Sequence, residues 1–328
     1  MSARRLIVLS LAWLALISGN SVWGQSGSAQ NYPSKIIRVI NPNQPGGNSD
    51  ILFRLLSPRM GEILGQQLVI DYRPGAGGNI GAEIAAKSPP DGYTALIAAA
   101  SFLINPSLIK KLPFDAIRDF TPLGLIVDIP AAVVVHPSLP VQNAKQLIAL
   151  AKARPDQIFF SSSGPGTVGH LAGELLNSQA AVKLVHVPYK GIGPGVIDLL
   201  AGHVQLSFPS IPVVIQHVRI GKLRAVSQCG EARSPSLPEV PTMQESGLPG
   251  FVVSSGFSFL GPAGMPRPVV EKLNSALAKV LQDPAIRKEL IDRGADPVGN
   301  TPEQHAAYIK AEIDKWRKVA SHAGLKPE

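Results

Sequence analysis

Cysteine and the common catalytic motifs are scarce in this sequence. The chain of 328 residues contains one cysteine, Cys229, which excludes an internal disulfide, and the absence of a nearby base favours a packing role for its thiol. Seven histidines form no H-E-x-x-H motif and no close ligand pair, so no metal site is expected. A G-x-S-x-G nucleophile elbow is also missing. We therefore expect no cofactor and no catalysis, and an enzyme is the weaker alternative.

Long basic runs and long apolar runs are missing too. The net charge is +8, but no basic run is longer than Lys110-Lys111, so the scattered excess predicts attraction of anionic solutes rather than a nucleic-acid surface. No uninterrupted apolar stretch reaches the length of a transmembrane helix. At the start of the chain, Arg4 and Arg5 precede a short apolar run, which predicts a secretory signal peptide over residues 1–24.

Glycine, in contrast, is abundant, with 31 residues, and it concentrates in three similar segments. In residues 41–50, 73–94 and 161–170, a glycine-rich turn follows a strand pattern and leads into a helix pattern. Such a turn presents unpaired backbone N–H groups at the positive end of a helix, which favours an anion. Ile80 replaces the third glycine of a dinucleotide fingerprint, and no phosphate-loop lysine follows, so both nucleotide motifs are excluded. Glycines that serve only as tight turns are the alternative interpretation.

Strand and helix patterns alternate along the chain. This alternation predicts an α/β fold with mostly parallel sheets flanked by helices. Two separated groups of these units predict two lobes, which we place at residues 25–127 with 253–328 and at residues 128–252. Because ligands of open α/β sheets bind beyond the carboxyl ends of the strands, we expect the ligand in a cleft between the lobes.

A series of short motifs runs along nearly the whole chain after residue 24. The first half contains Pro45-Gly46-Gly47 with Asp50 and Arg54, Arg73-Pro74-Gly75-Ala76-Gly77-Gly78, and Pro90-Asp91-Gly92-Tyr93-Thr94. The second half contains Gly169-His170-Leu171, His186-Val187-Pro188-Tyr189-Lys190-Gly191, Leu237-Pro238-Glu239-Val240-Pro241-Thr242, and Gly261-Pro262-Ala263-Gly264. In their order and number these motifs resemble the Bug family, the substrate-binding receptors of tripartite tricarboxylate transporters.

The resemblance implies a two-lobed periplasmic binding protein of the type II-like Venus flytrap class, without catalytic activity. It also implies that a carboxylate of a small ligand is held deep in the cleft and is delivered to membrane subunits of a transporter. A sensor that presents its ligand to a signalling partner is the alternative, and we expect a monomer in either case.

Carried onto this chain, the resemblance implies a ligand site built from both lobes. Lobe 1 would contribute Asn43, Gln44, Gly47, Asn48, Ser49, Gly77, Gly78, Asn79 and Ser101. Lobe 2 would contribute Ser163, Gly166, Thr167, His170, Tyr189, Phe208, Pro209 and Ser210. His170 either contacts the ligand or orients the loop before it. Asp50 is better explained as a helix cap than as a ligand contact.

Two of these positions depart from the family pattern. Asn43 stands where the family often has an aromatic residue, and Pro209 stands near a position that is often acidic or small. The candidate loops therefore hold few acids, and a buried ammonium group needs an anionic partner or several acceptors. We expect a carboxylate without an ammonium group, either a dicarboxylate or an aromatic acid.

Overall fold

The computed structural model describes residues 31–325 and residue 327, and the predicted signal peptide lies outside this part of the chain. Its strands are β1 (Ile37–Asn41), β2 (Leu68–Tyr72), β3 (Thr94–Ala98), β4 (Phe120–Asp128), β5 (Ala132–Val135), β6 (Ile158–Ser162), β7 (Leu184–Pro188), β8 (Leu206–Ser207), β9 (Arg224–Gln228), β10 (Phe257–Pro262) and β11 (Asp296–Pro297). Its helices are α1 (Asn48–Leu64), α2 (Asn79–Ala86), α3 (Ala100–Leu108), α4 (Ala144–Ala153), α5 (Val168–Ala180), α6 (Ile192–Ala201), α7 (Ile211–Arg219), α8 (Arg267–Gln282), α9 (Pro284–Asp292) and α10 (Pro302–His322). None of these described helices has the length and apolar character needed to cross a membrane.

The strands form two sheets, one in each lobe. The six-stranded sheet has the order β11-β4-β10-β3-β1-β2, and the five-stranded sheet has the order β7-β6-β8-β5-β9. β3 lies inside its sheet with all five residues buried, as a strand covered on both faces requires. Helices flank both sheets, so the chain has the predicted two-lobed α/β fold.

One detail of the prediction needs correction, because both sheets are mixed rather than mostly parallel. β1 pairs in parallel with β2 and β3, and β6 pairs in parallel with β7 and β8. The pairs that β10 makes with β3 and β4, and those that β5 makes with β8 and β9, are antiparallel. The reason lies in the connections between the lobes. Since β4 leads out of the six-stranded sheet and β10 leads back into it, these neighbours run in opposite directions.

Two crossover segments, one between β4 and β5 and the other between β9 and β10, run side by side where they join the lobes. The N–H of Ala131 donates to the carbonyl of Val253 at 3.1 Å, and the N–H of Ser255 donates to the carbonyl of Ile129 at 2.9 Å. Cys229 is fully buried against them, and burial raises the pKa of its thiol far above the usual value. A thiol that stays protonated is unreactive, in agreement with the predicted packing role.

The last helix, α10, also links the lobes. It packs on α3 and β4 on one side and on α5 on the other. Lys315 of this helix donates to the carbonyl of Val252 in the second crossover segment at 2.9 Å. The adjacent Trp316 is buried and donates its indole N–H to Glu312 at 3.0 Å. Helix α10 therefore holds the returning crossover segment in place.

Candidate functional site

The loop after β1 is organised by a buried side chain, Asn41. Its Oδ1 accepts hydrogen bonds from the backbone N–H of Asn43 at 3.2 Å and from the hydroxyl of Ser49 at 3.0 Å. Asn43 in turn donates its Nδ2 to the Ser49 hydroxyl at 3.1 Å. These bonds close the turn between β1 and α1 around two predicted site residues. Asn41 is not among the residues predicted for the site, although a polar residue directly after the apolar pair Val39 and Ile40, at the end of a strand pattern, was an available signal.

A carboxylate closes the other end of this turn. Asp50, in the first turn of α1, accepts hydrogen bonds from the N–H of Gly46 at 2.8 Å, from Arg54 Nε at 2.7 Å and from the hydroxyl of Tyr72 at 2.6 Å. Burial acts to raise the pKa of Asp50, but the bonds from Gly46, Tyr72 and Arg54 hold it below its usual value. Both carboxylate oxygens are therefore engaged within lobe 1. The N-cap of α1 is Gly47 and no described side chain caps this helix, so the predicted capping role of Asp50 is wrong, because its carboxylate is turned to Gly46, Arg54 and Tyr72 instead.

The second loop of lobe 1 turns tightly before α2. Its 3-10 turn, Ala76–Gly78, has Gly77 at φ 65° and Gly78 at φ 98°, a region of φ that glycine tolerates at little cost. Gly77, Gly78, Asn79 and Ser101 line one small crevice together with Pro42 of the first loop. The structure thus brings four predicted site residues together at the start of α2 and α3.

Five predicted residues of lobe 2 also come together. They line a cavity of about 230 Å³ that reaches the crossover segments, and they are Ser163, Thr167, Phe208, Pro209 and Ser210. Ile129, Ala131 and Ser255 of the crossovers complete part of its wall. The cavity therefore opens where the lobes join.

Neither wall carries a charged side chain among the described residues. The residues of the 230 Å³ cavity and of the lobe 1 crevice are apolar, hydroxyl, amide or glycine residues. Backbone N–H groups and helix N-termini are consequently the main source of positive potential there. Nor do residues 31–325 contain a group of three or more His, Cys, Asp or Glu side chains that could hold a metal ion.

Gly166, His170 and Tyr189 do not belong to the wall of this cavity. His170 lies behind the loop, where its Nδ1 accepts the N–H of Gly166 at 3.0 Å. Burial, together with the charge of His186, lowers the pKa of His170 to about 4. Tyr189 donates its hydroxyl to Asp198 at 2.6 Å. Direct ligand contact by these three residues stays a prediction.

The remaining predicted residues of lobe 1 lie on the turn before α1 and at the first residue of this helix. Gln44 and Asn48 are exposed, and Gly47 is the N-cap of α1. Asn48 also borders a cavity of about 90 Å³, whose opposite wall includes Pro212 of lobe 2. This turn is therefore at the boundary of the lobes, and its contact with ligand stays a prediction.

The lobes meet across the cleft at a second point. A Cβ added to Gly166 of lobe 2 would lie 2.6 Å from Cδ1 of Leu108, the last residue of α3 in lobe 1. Gly166 has φ 72°, so its backbone also favours glycine. The loop that borders the cavity is thus packed directly against the opposite lobe.

Comparison with known proteins identifies this arrangement. The sequence profile described as the tripartite tricarboxylate transporter family receptor, TctC, matches residues 52–325. The chain belongs to this receptor family. Because the family consists of solute-binding receptors, the predictions of the Bug resemblance and of a protein without enzymatic activity are confirmed for this TctC receptor.

Several relatives of the receptor are known. Protein BugT of Bordetella pertussis is 37% identical over 301 residues, which is 91% of this chain and 92% of BugT. The structure of R. palustris Rpa4515 with adipate is 35% identical with a TM-score of 0.74, covering 91% of this chain and 100% of that one. MatC from Rhodopseudomonas palustris with bound malate is 30% identical with a TM-score of 0.67, covering 88% and 99%.

Proposed function

We propose that this receptor binds a small carboxylate in the periplasm, in the cleft between its lobes, and delivers it to a tripartite tricarboxylate-type membrane transporter. The observation that carries the proposal is the position of the three glycine-rich turns. Each follows the carboxyl end of a strand and opens a helix, α1, α2 or α5, beside walls that lack charged side chains. Carboxylates suit such sites because backbone N–H groups bind oxyanions strongly where water is scarce.

The division into lobes follows the sheets. We propose lobe 1 at residues 25–127 with 253–328 and lobe 2 at residues 128–252. Apart from Asp128 at the end of β4, the six-stranded sheet takes its residues from the first set, and the five-stranded sheet takes its residues from the second. The ligand then lies between the lobe 1 crevice at Gly78 and Ser101 and the lobe 2 cavity at Ser163, Thr167 and Ser210.

A buried donor supports the lobe 1 side of this site. Asn41 Nδ2 is buried and has no partner among the described residues, although its Oδ1 is fully used. An unsatisfied buried donor is costly, so a ligand oxygen or an ordered water is expected to accept from it. Asn41 thereby joins the proposed site as the residue that shapes the first loop.

The proposed ligand class follows from the absence of Asp and Glu side chains among the described residues in the walls of the lobe 1 crevice and the lobe 2 cavity. An ammonium group would need a carboxylate, yet none lines the two walls, and Asp50 already accepts three hydrogen bonds. We therefore propose a carboxylate without an ammonium group, a dicarboxylate or an aromatic acid. The adipate and malate of the two related structures are dicarboxylates of this kind.

Ligand binding is tested by a thermal shift screen of mono-, di- and tricarboxylates on the purified receptor. A ligand at about 100 times its Kd should add about 2.7 kcal/mol to the free energy of unfolding. Calorimetric titration of glutarate against glutamate, and of succinate against aspartate, then tests the ammonium. No melting shift with any carboxylate argues against the site, and tighter binding of either amino acid argues against the ligand class.

The cellular role needs a separate experiment. Fractionation of cells that express the full chain should place the receptor in the periplasm. Deletion of its gene should abolish uptake of the ligand identified in the screen. Normal uptake combined with a lost transcriptional response to that ligand would support the sensor instead.

A further inference from the structure

Three aromatic rings are stacked behind the 161–170 loop of lobe 2. The ring of His186 on β7 lies between Phe160 on β6, with centroids 5.0 Å apart, and His170 on α5, with centroids 4.0 Å apart. The two histidine rings are within 23° of parallel. All three elements surround the loop that borders the proposed cleft.

Each histidine holds a different part of this loop, His170 at Gly166 in its middle and His186 at Ser162 near its start. His170 Nδ1 accepts the N–H of Gly166 at 3.0 Å, so Nδ1 must lack a proton. His186 Nε2 is 2.6 Å from the hydroxyl oxygen of Ser162, and that oxygen accepts the N–H of Gly164 at 3.0 Å. The stack therefore fixes the loop from behind at two points.

The position of the loop matters on its other side. Gly166, which His170 holds, is the residue in close contact with Leu108 of lobe 1. Thr167, next to it, lines the 230 Å³ cavity and donates its hydroxyl to the carbonyl of Gly164 at 2.7 Å. A displacement of Gly166 would thus change both the cavity wall and the contact between the lobes.

We propose that His170 and His186 are positioning residues that hold the 161–170 loop in its ligand-binding form, and that protonation of His170 weakens ligand binding. The proposal rests on the proposed function for its ligand, but the state of the loop can be measured without one. Protonation at Nδ1 would place two N–H groups head to head and break the bond to Gly166. Neither histidine needs to contact the ligand for this effect.

Few charged groups can alter this titration. Glu174 on α5 is 3.8 Å from His170 Nε2, and His186 faces the other side of the ring. The charged residues of α10 that pack on α5 face its later part, beside Leu175, Ser178 and Gln179, and they are Asp314, Lys315, Lys318 and His322. Burial is the main cause that lowers the pKa of His170 to about 4, and burial also raises the pKa of Glu174 above its usual value.

The sign of the pH effect follows from this lowering. A histidine released from the loop regains its ordinary pKa of about 6.5, whereas the held form protonates near 4. The preference for the held loop is therefore complete above pH 6.5 and is lost as the pH falls towards 4. Ligand affinity can fall by at most about tenfold per pH unit from this one group.

The ligand-free experiment uses ¹⁵N NMR of the imidazoles and amide hydrogen exchange at Gly166. His170 should show an unprotonated Nδ1 at pH 7 and titrate well below 6.5. Hydrogen exchange at Gly166 should be slow in the wild type and in His170→Asn, whose amide oxygen can replace Nδ1, and fast in His170→Leu. A protonated Nδ1 at pH 7, or equal exchange in all three proteins, would overturn the proposal.

The second experiment measures the affinity for adipate at pH 7.5 and pH 5.5. His170→Leu should bind adipate roughly tenfold more weakly at both values, whereas His170→Asn should bind as the wild type does at pH 7.5 and lose less affinity at pH 5.5. Protonation of adipate itself affects all variants equally, so the difference between variants isolates His170.

His305→Asn is the matched control, because His305 Nδ1 also accepts a glycine N–H, that of Gly124 at 3.0 Å, but in the core of lobe 1. Its adipate affinity should follow the wild type at both pH values. An identical pH profile for wild type and His170→Asn would overturn the proposal. If no variant binds adipate or any other carboxylate, the proposed function fails, while the exchange at Gly166 still decides the role of the stack.

Discussion

The two halves of the proposed site use different chemistry to hold their loops. In lobe 1, the loop after β1 is fixed by the amide of Asn41 and by the carboxylate of Asp50, whose pKa is below its usual value. In lobe 2, the corresponding loop is fixed by His170 and His186. The lowered pKa of Asp50 favours its charged form as the pH falls, whereas a histidine released from the lobe 2 loop gains a proton as the pH falls through about 6.5. Two loops that we propose to bind an anion in the same way can therefore respond differently to acid.

The largest expected effect comes from removing the charge that fixes the lobe 1 loop. Asp50→Asn loses the charge-assisted bonds from Arg54, Tyr72 and Gly46 at a site only 4% exposed. We expect a loss of about 2–3 kcal/mol in the free energy of unfolding, measured by urea denaturation, together with weaker adipate binding. The matched control is Asp71→Asn.

Asp71 lies on β2, pairs with Arg38 and Arg73, and is more exposed than Asp50. Its replacement should therefore lower the free energy of unfolding by less than about 1 kcal/mol and leave adipate affinity unchanged. Equal losses of stability and affinity in the two variants would contradict the special role of Asp50.

Protonation of His305 at low pH should lower the free energy of unfolding without lowering the affinity for adipate. Burial lowers the pKa of His305 to about 3, so its contribution to stability is complete above pH 6.5 and is lost as the pH falls. Between pH 6.5 and pH 5 this single group should cost about 2 kcal/mol of unfolding free energy. His305→Asn should flatten that slope in urea denaturation without altering the pH dependence of adipate binding. If His305→Asn changed the pH dependence of both the free energy of unfolding and the adipate affinity, the two effects of acid could not be assigned to separate lobes.

The contact between the lobes gives an intermediate effect. Gly166→Ala adds a methyl group against Leu108 at φ 72°, so it should weaken adipate binding by about 1.5 kcal/mol, roughly tenfold. Adding Leu108→Ala removes the clash but not the backbone strain, and should restore part of the affinity in calorimetry. No recovery in the double variant would show that the contact does not limit binding.

The smallest effect concerns the glycines of lobe 1. Gly78→Ala, at φ 98°, should lower adipate affinity by about 1 kcal/mol, because the left-handed turn would shift its N–H groups away from the ligand. Gly65→Ala is the control, since Gly65 ends α1 at φ 73° with open space around it. It should lose similar stability while binding adipate normally. Normal adipate binding by Gly78→Ala, with weaker binding by Gly65→Ala, would show that the loop before α2 is not part of the site.

Local patterns in the sequence predicted much of this fold. The three glycine-rich turns lie where a strand pattern meets a helix pattern, and residues near in sequence are enough to define them. The directions of β4, β5 and β10 could not be read in this way, because they depend on how the chain passes between the lobes. Mixed sheets therefore replaced the mostly parallel sheets that the alternation predicted.

The residues that hold the site in place were harder to predict from the sequence than the residues that line it. The family resemblance implied Ser163, Thr167, Phe208, Pro209 and Ser210 as site residues, and the structure brings them around one cavity. His186, however, reaches the loop only because Phe160 and His186 are register partners on β6 and β7. Strand register is a long-range property, so residues that act through it are hidden from local patterns.

Helix α10 has a consequence for spectroscopy. Trp316 is the only tryptophan among residues 31–325. The ammonium of Lys315 lies 4.6 Å from its ring centroid and also binds the crossover carbonyl of Val252. Indole emission depends on nearby charge, so a movement of the crossover that displaces this ammonium changes the colour of the emitted light. We therefore expect Trp316 emission to report, without a label, any lobe movement that shifts this crossover.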